Sequence, residues 1–209
     1  MHISEGVLST PVLAAGAGLT VAGVGYALKK MDYDRIPQVA VVSCAFFVAS
    51  LVHLPVGPVS IHLVLNGLTG VLLGWAAFPA ILVALFLQGV LFQFGGLTTL
   101  GVNTLNMALP AVVCYLLFGR YIRSPRAFIA GTAAFACGAA AVALSGLMLA
   151  ASLFFAGESF LATAKIAFAA HLPVMVIEGF VTAFVVGFLW KVKPNILEGS
   201  RVSSALGGE

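Results

Sequence analysis

Residues 127–155, AFIAGTAAFACGAAAVALSGLMLAASLFF, contain no Asp, Glu, Lys or Arg. A helix needs about 20 apolar residues to cross the roughly 30 Å hydrocarbon core of a bilayer, and this run exceeds that. The rest of the chain repeats the pattern. Of its 209 residues 61% are hydrophobic and 8% charged, with a mean hydropathy of +1.12. A soluble domain of this size could not stay in solution with so little charge. Lipid offers no partner to an open sheet edge, so spanning segments default to helices. The long runs also lack the short alternation of a membrane barrel. The expected class is an all-α polytopic membrane protein. A net charge of +3 without a basic cluster gives no reason to expect a nucleic-acid partner. Cys44, Cys114 and Cys137 lie in apolar runs without CxxC spacing, and read as packing residues.

Seven candidate transmembrane helices lie near residues 10–28, 36–53, 61–76, 78–95, 105–122, 127–155 and 161–190. With the amino terminus outside, nine of the ten Lys and Arg residues fall on inner connections; only Lys165 does not. Excess positive charge marks the cytoplasmic side, so the carboxyl terminus is expected there. His2, His53, His62 and His171 then all lie toward the outer face, with the connection GGLTTLGVNTLN (95–106). Residues 1–193 read as one membrane domain and 194–209 as a polar, disordered cytoplasmic tail. Lys29 and Lys30 follow the first apolar run, whereas a cleaved signal carries its charge ahead of it. The opening MHISEGVLS (1–9) is therefore expected to persist in the mature protein.

An amino-terminal X-His pair is a chelator by its covalent geometry. The Met1 amine, the His2 amide nitrogen and the His2 imidazole Nδ1 close a five-membered and then a six-membered ring on one ion. The amide must lose its proton, which only a strongly binding divalent ion can enforce. Three nitrogens then lie near one plane with a fourth place vacant, an arrangement that suits Ni(II) and Cu(II). Affinity should fall at low pH, because protons compete for the ligating atoms.

The other polar residues carry plainer readings beside sharper ones. His53, beside Pro55, reads as an interfacial or structural histidine. Asn103 and Asn106 suit helix capping, or hydrogen bonds that orient the tail or His62; Thr98 and Thr99 can contribute in the same way. His171 and Glu178 are seven apart and share a helical face. A carboxylate deep in a span points into the bundle or toward a partner. Neither residue is expected to touch the metal. Glu5 reads as a backbone acceptor that fixes the opening loop. Gly70 and Gly74 form GxxxG, a close-approach pattern with many chance occurrences.

MHISEGVLS resembles the opening "MHI-x-[ED]-G-[FYV]-L" of the CbiM/NikM family, the metal-binding S components of energy-coupling-factor transporters. VSIHLVLNGLTGVLLG (59–74) resembles its second histidine motif. QGVLFQFGGLTTLGVNTLNM (88–107) resembles its central "GGLTTLGxN" stretch, and HLPVMVIEGFVT (171–182) its last-helix motif. The matches run in order from Met1 to about Trp190. The resemblance implies a seven-helix bundle into which the amino-terminal segment tucks from outside. It implies a metal held by the Met1 amine, the His2 amide, the His2 imidazole and one further imidazole, by motif position His62. Alone, His62 could simply bond a loop carbonyl; its position two residues after Ser60 and the motif match favour ligation.

The resemblance implies the substrate-capture subunit of an ATP-driven Ni(II) or Co(II) importer in a prokaryotic cytoplasmic membrane. Square-planar preference favours nickel, but similar sequences serve cobalt uptake for cobalamin synthesis. The ion is substrate; no organic cofactor is expected. There is no GxxxxGK[ST] motif, so ATP hydrolysis is expected on another chain. Implied partners are a transmembrane coupling (T) subunit, two ATPase subunits and a small accessory membrane protein, which some relatives carry fused and which is expected here as a separate chain. An intramembrane hydrolase would call for GxSxG or HExxH, which are missing. A stand-alone secondary transporter would favour inverted repeats, and none is evident. A membrane metal sensor would bind the ion without moving it.

Overall fold

The computed structural model describes residues 2–56, 59–157 and 160–198, with residues 53–56, 59–61, 161 and 198 described by backbone alone. In chain order the elements are β1 (His2–Ile3), α1 (Thr10–Lys30), α2 (Ile36–Ala49), β2 (His53–Val56), β3 (Val59–His62), α3 (Asn66–Leu73), α4 (Ala77–Phe92), α5 (Leu100–Ile122), α6 (Ala127–Phe154), α7 (Leu161–Val192) and α8 (Pro194–Glu198). The protein is a helical membrane protein. Five described stretches have the length and hydropathy to cross a bilayer: 10–30, 66–92, 100–122, 127–154 and 162–192.

The second and third expected spans are shorter than the hydropathy suggests. Pro55 and Pro58 cannot continue a helix. The chain instead leaves α2 at Ala49, and β2 pairs antiparallel with β3, His53 opposite His62 and Val56 opposite Val59. The amino-terminal strand β1 joins the other edge of β3, giving the order β1-β3-β2. Helix resumes only at Asn66.

Residues 66–92 look like one span by composition, yet they double back. Gly74 adopts φ +57, a left-handed value that glycine reaches without a Cβ clash. Just before it, the Leu72 carbonyl accepts from Arg35 Nη2 at 3.0 Å and Gln38 Nε2 at 3.3 Å. Just after it, the Trp75 ring lies 4.6 Å from that of Tyr26, near the carboxyl end of α1. Gln88, late in α4, returns to the opposite end and meets His2. The Gly70–Gly74 pair is therefore not one helix face: Gly74 is the turn. Gly70 alone makes a close approach, since a Cβ there would stand 2.1 Å from the Ala111 carbonyl oxygen of α5.

Helix α5 starts five residues before the expected 105, and its N-cap is Thr99. Packing draws it out: a Cβ on Gly101 would meet the Ala17 backbone of α1 at 2.6 Å, and Thr20 Oγ1 donates to the Gly101 carbonyl at 2.6 Å. Asn103 and Asn106 consequently sit inside the helix, and the capping reading is corrected. The expected disordered tail also begins too early. Residues 194–198 form α8, because Leu197 buries against Ile122 and Val186 while its carbonyl accepts from Arg123 Nε at 3.0 Å. Residues 199–209 lie outside the described residues.

Candidate metal site

The site is built where the two-residue strand β1 enters the helices. Ile3 is fully buried beside Val102, Leu149 and Leu153 and anchors the opening segment by apolar burial. Its backbone is satisfied from α5. Asn103 Oδ1 accepts from the Ile3 amide at 2.9 Å, Asn103 Nδ2 donates to the Ile3 carbonyl at 3.1 Å, and Thr99 Oγ1 donates to the same carbonyl at 2.9 Å. One carboxamide thus does for Ile3 what a neighbouring strand would do. Glu5 Oε1 accepts from the Thr98 amide at 3.2 Å.

The first two glycines of the GGLTTLG stretch make room for this contact. Gly95 has φ +82, and a Cβ there would lie 3.0 Å from Asn103 Nδ2 and 3.3 Å from His2 Cδ2. A Cβ on Gly96 would overlap the Glu5 side chain at 1.9 Å. The Asn103 and His2 positions therefore depend on bare backbone opposite them.

A short hydrogen-bond chain fixes the His2 tautomer. The Ser50 hydroxyl has one proton and donates it to the Phe47 carbonyl at 2.7 Å. Its oxygen therefore accepts from Gln88 Nε2, which orients the carboxamide. Gln88 Oε1 then faces His2 Nε2 at 2.7 Å and can only accept. The proton sits on Nε2, and the lone pair on Nδ1, the nitrogen that an amino-terminal chelate uses. His62 is held in the complementary way. Its Nδ1 lies 2.7 Å from the Leu63 carbonyl, so Nδ1 carries the proton and Nε2 the lone pair. Both residues are about 3% exposed, and their ring centroids are 4.6 Å apart at an interplanar angle of 35°. Burial holds the His62 pKa well below its usual 6.5, with the neighbouring positive groups, His2 among them, adding to the shift.

Of the remaining candidates, Met1 lies outside the described residues. His53 and Ser60 are placed by backbone only, opposite His62 and His2 respectively. Asn106 turns away from the strand and pairs with Ser152 of α6 at 3.1 Å, so it ties two helices together rather than orienting the tail. His171 is fully buried on α7, its Nδ1 2.6 Å from the Ala167 carbonyl and its Nε2 without a partner among the described residues. Glu178, also buried, reaches the chain just beyond His62, where Oε1 accepts from the amides of Val64 at 2.5 Å and Leu65 at 2.8 Å. Among the described residues no three His, Cys, Asp or Glu side chains gather to hold a metal. The described donors are two imidazoles. Gln88 and Ser50 are absent from the residues expected from sequence, although Gln88 interrupts an apolar run, and a polar side chain at membrane depth is itself a signal.

Known proteins share this architecture. Residues 2–196 match the profile of the CbiM family, "Cobalt uptake substrate-specific transmembrane region". A Haemophilus influenzae protein is 40% identical over 200 residues, covering 94% of this chain and 97% of its own. The "Cobalt transport protein CbiM" of Sorangium cellulosum is 32% identical, covering 97% of this chain and 96% of its own length. The "Fused nickel transport protein NikMN" of Rhodobacter capsulatus is 35% identical over 98% of this chain, which spans 66% of that longer protein. A crystal structure of a transition metal transporter superposes with a TM-score of 0.74 at 26% identity, covering 98% of this chain and all of that one.

Proposed function

The chain belongs to the CbiM family, and from that premise we propose that it captures Ni(II) or Co(II) at an all-nitrogen site facing outward. Its relatives carry nickel and cobalt transport names, and the family is a transport component rather than an enzyme. The ligands are the Met1 amine, the His2 amide nitrogen, His2 Nδ1 and His62 Nε2. The observation that carries this reading is the pair of tautomers. Gln88 and the Leu63 carbonyl take up one proton on each ring and leave the lone pairs on His2 Nδ1 and His62 Nε2. Two imidazoles bound cis to one ion, with metal–nitrogen bonds of about 2 Å, put their centroids about 4.5 Å apart. The observed centroid separation of 4.6 Å matches that value.

The chain crosses the membrane seven times, α3 and α4 forming an out-and-back pair at Gly74. The ends near Lys29, Arg35, Arg123 and Lys193 face the cytoplasm, and β1 faces outward. ATP hydrolysis resides on partner ATPase subunits, coupled through a T subunit and assisted by a small accessory membrane protein. The fused nickel relative supports an assembly of several functions. A nitrogen-only, planar donor set favours nickel over cobalt.

The test compares two metal-free preparations of the whole protein, one with a native Met1 amine verified by mass and one with a short extension before Met1. Nickel and cobalt are titrated into each. Tight binding by the native form alone supports the chelate. Equal binding by both removes the amino terminus from the site.

A further inference from the structure

We infer that Glu178 positions His62 through a peptide group, forming a carboxyl–peptide–imidazole relay that sets the tautomer and direction of the metal-binding ring. This rests on His62 as a ligand, the reading proposed above. Three observations carry it. His62 Nδ1 donates to the Leu63 carbonyl at 2.7 Å. The Val64 amide donates to Glu178 Oε1 at 2.5 Å. The Leu63 carbonyl and the Val64 amide are the two ends of one planar peptide unit. An acceptor at the N–H end therefore fixes the plane that presents the C=O to the imidazole. It also polarises that carbonyl, since hydrogen bonds in series strengthen one another.

The segment cannot hold this pose from local preference. Leu65 has φ +51, a left-handed value unfavourable for a non-glycine residue. Glu178 Oε1 takes the Leu65 amide as well, at 2.8 Å, and so braces two successive peptides. On the far side, Asn66 Nδ2 donates to Ser145 Oγ at 2.7 Å and to the Ala141 carbonyl at 3.2 Å. The turn between His62 and α3 is thus clamped between α6 and α7. Metal-bound histidines commonly donate the second ring nitrogen to a carbonyl or carboxylate, and loss of such support costs about ten- to hundredfold in affinity. Here the carboxyl acts one peptide further out, from residue 178 to residue 62.

The experiment reads the ring directly. Nitrogen-15 spectra of the metal-free full chain report which His62 nitrogen carries the proton, alongside nickel titration of the same samples. Wild type, Glu178→Gln and Glu178→Met are compared. Gln keeps an acceptor oxygen for both amides; Met fills similar volume without one. The expected result is an Nδ1–H tautomer in wild type and Gln, tautomer mixing in Met, and about ten- to hundredfold weaker nickel binding in Met alone. Equal spectra and affinities in all three overturn the relay. An Nε2–H tautomer in wild type overturns it even if the variants fail to fold. A wild type with the Nδ1–H tautomer, perturbed by Met but binding no nickel, upholds the relay and removes the metal reading instead.

Discussion

The β1 end of the bundle and the middle of α7 are both buried and polar, but they treat polar atoms differently. Around β1, the Asn103 carboxamide uses its oxygen and nitrogen on Ile3, and the Gln88 carboxamide uses both on His2 and Ser50. Along α7, His171 Nε2, Glu178 Oε2 and Thr182 Oγ1 are buried with no hydrogen-bond partner among the described residues. A buried polar atom left unpaired costs about 1–3 kcal/mol, whereas a paired one is nearly neutral. The β1 end is thus a preorganised cradle whose members depend on one another. The α7 face tolerates local deficits that the packing of the long helices must offset. Substitutions should therefore be costly in the first region and uneven in the second.

The largest effect is expected from His62→Ala and His2→Ala. Each removes an imidazole from the proposed donor set, and nickel binding by the native-amine protein should fall more than about a hundredfold by titration calorimetry. Retained affinity in both would place the ion elsewhere. Next comes Asn103→Ala, which leaves the Ile3 amide and carbonyl short of a partner. It should cost about 1–3 kcal/mol in unfolding and weaken nickel binding as the strand loosens. Asn106→Ala, one turn along, should leave nickel affinity unchanged, because its contact is to Ser152. Equal effects of the two would erase the distinction between cradle and helix contact.

Gln88→Leu should weaken nickel binding about tenfold by freeing the His2 tautomer, and pairing it with Ser50→Ala should add little, since the two lie in one chain. The pH dependence of unfolding sharpens the comparison further. Folded His62 takes a proton only well below pH 6.5, whereas the unfolded side chain takes it near 6.5. Stability is therefore full above 6.5 and falls as acid brings the pH down toward the folded pKa. His62→Gln should flatten that slope. The smallest effect is expected at Thr182→Val. This near-isosteric change removes an unpartnered hydroxyl, so thermal unfolding should stay within about 0.5 kcal/mol or shift upward. A clear loss would mean that the hydroxyl has work to do.

Much of the architecture was legible in the residues. Runs such as 127–155 announce helices. The shortfalls share one cause. Residues 61–65 are as apolar as a helix, but prolines and backbone pairing make them strand and turn. Residues 100–104 read as a loop, but α1 packs against them and extends α5. The opening Met-His pair could be proposed as a chelate from sequence because that geometry is covalent and local. Gln88, at the start of the 88–107 motif stretch, was missed because nothing local says that His2 lies opposite it.

By itself, the sequence determined that this protein lives in a membrane as packed helices and that Met1 and His2 are covalent neighbours. Those properties sum over residues or belong to neighbouring bonds, so they survive without a fold. Only the tertiary structure decided which nitrogen of each imidazole carries the proton, that Asn103 closes the strand while Asn106 does not, and that Glu178 reaches the peptide beside His62. The contacts of His2 with Gln88, Asn103 with Ile3 and Glu178 with Val64 join residues 86 to 114 positions apart. They depend on hydrogen-bond distances and angles set to a few tenths of an ångström, which only the packed bundle supplies.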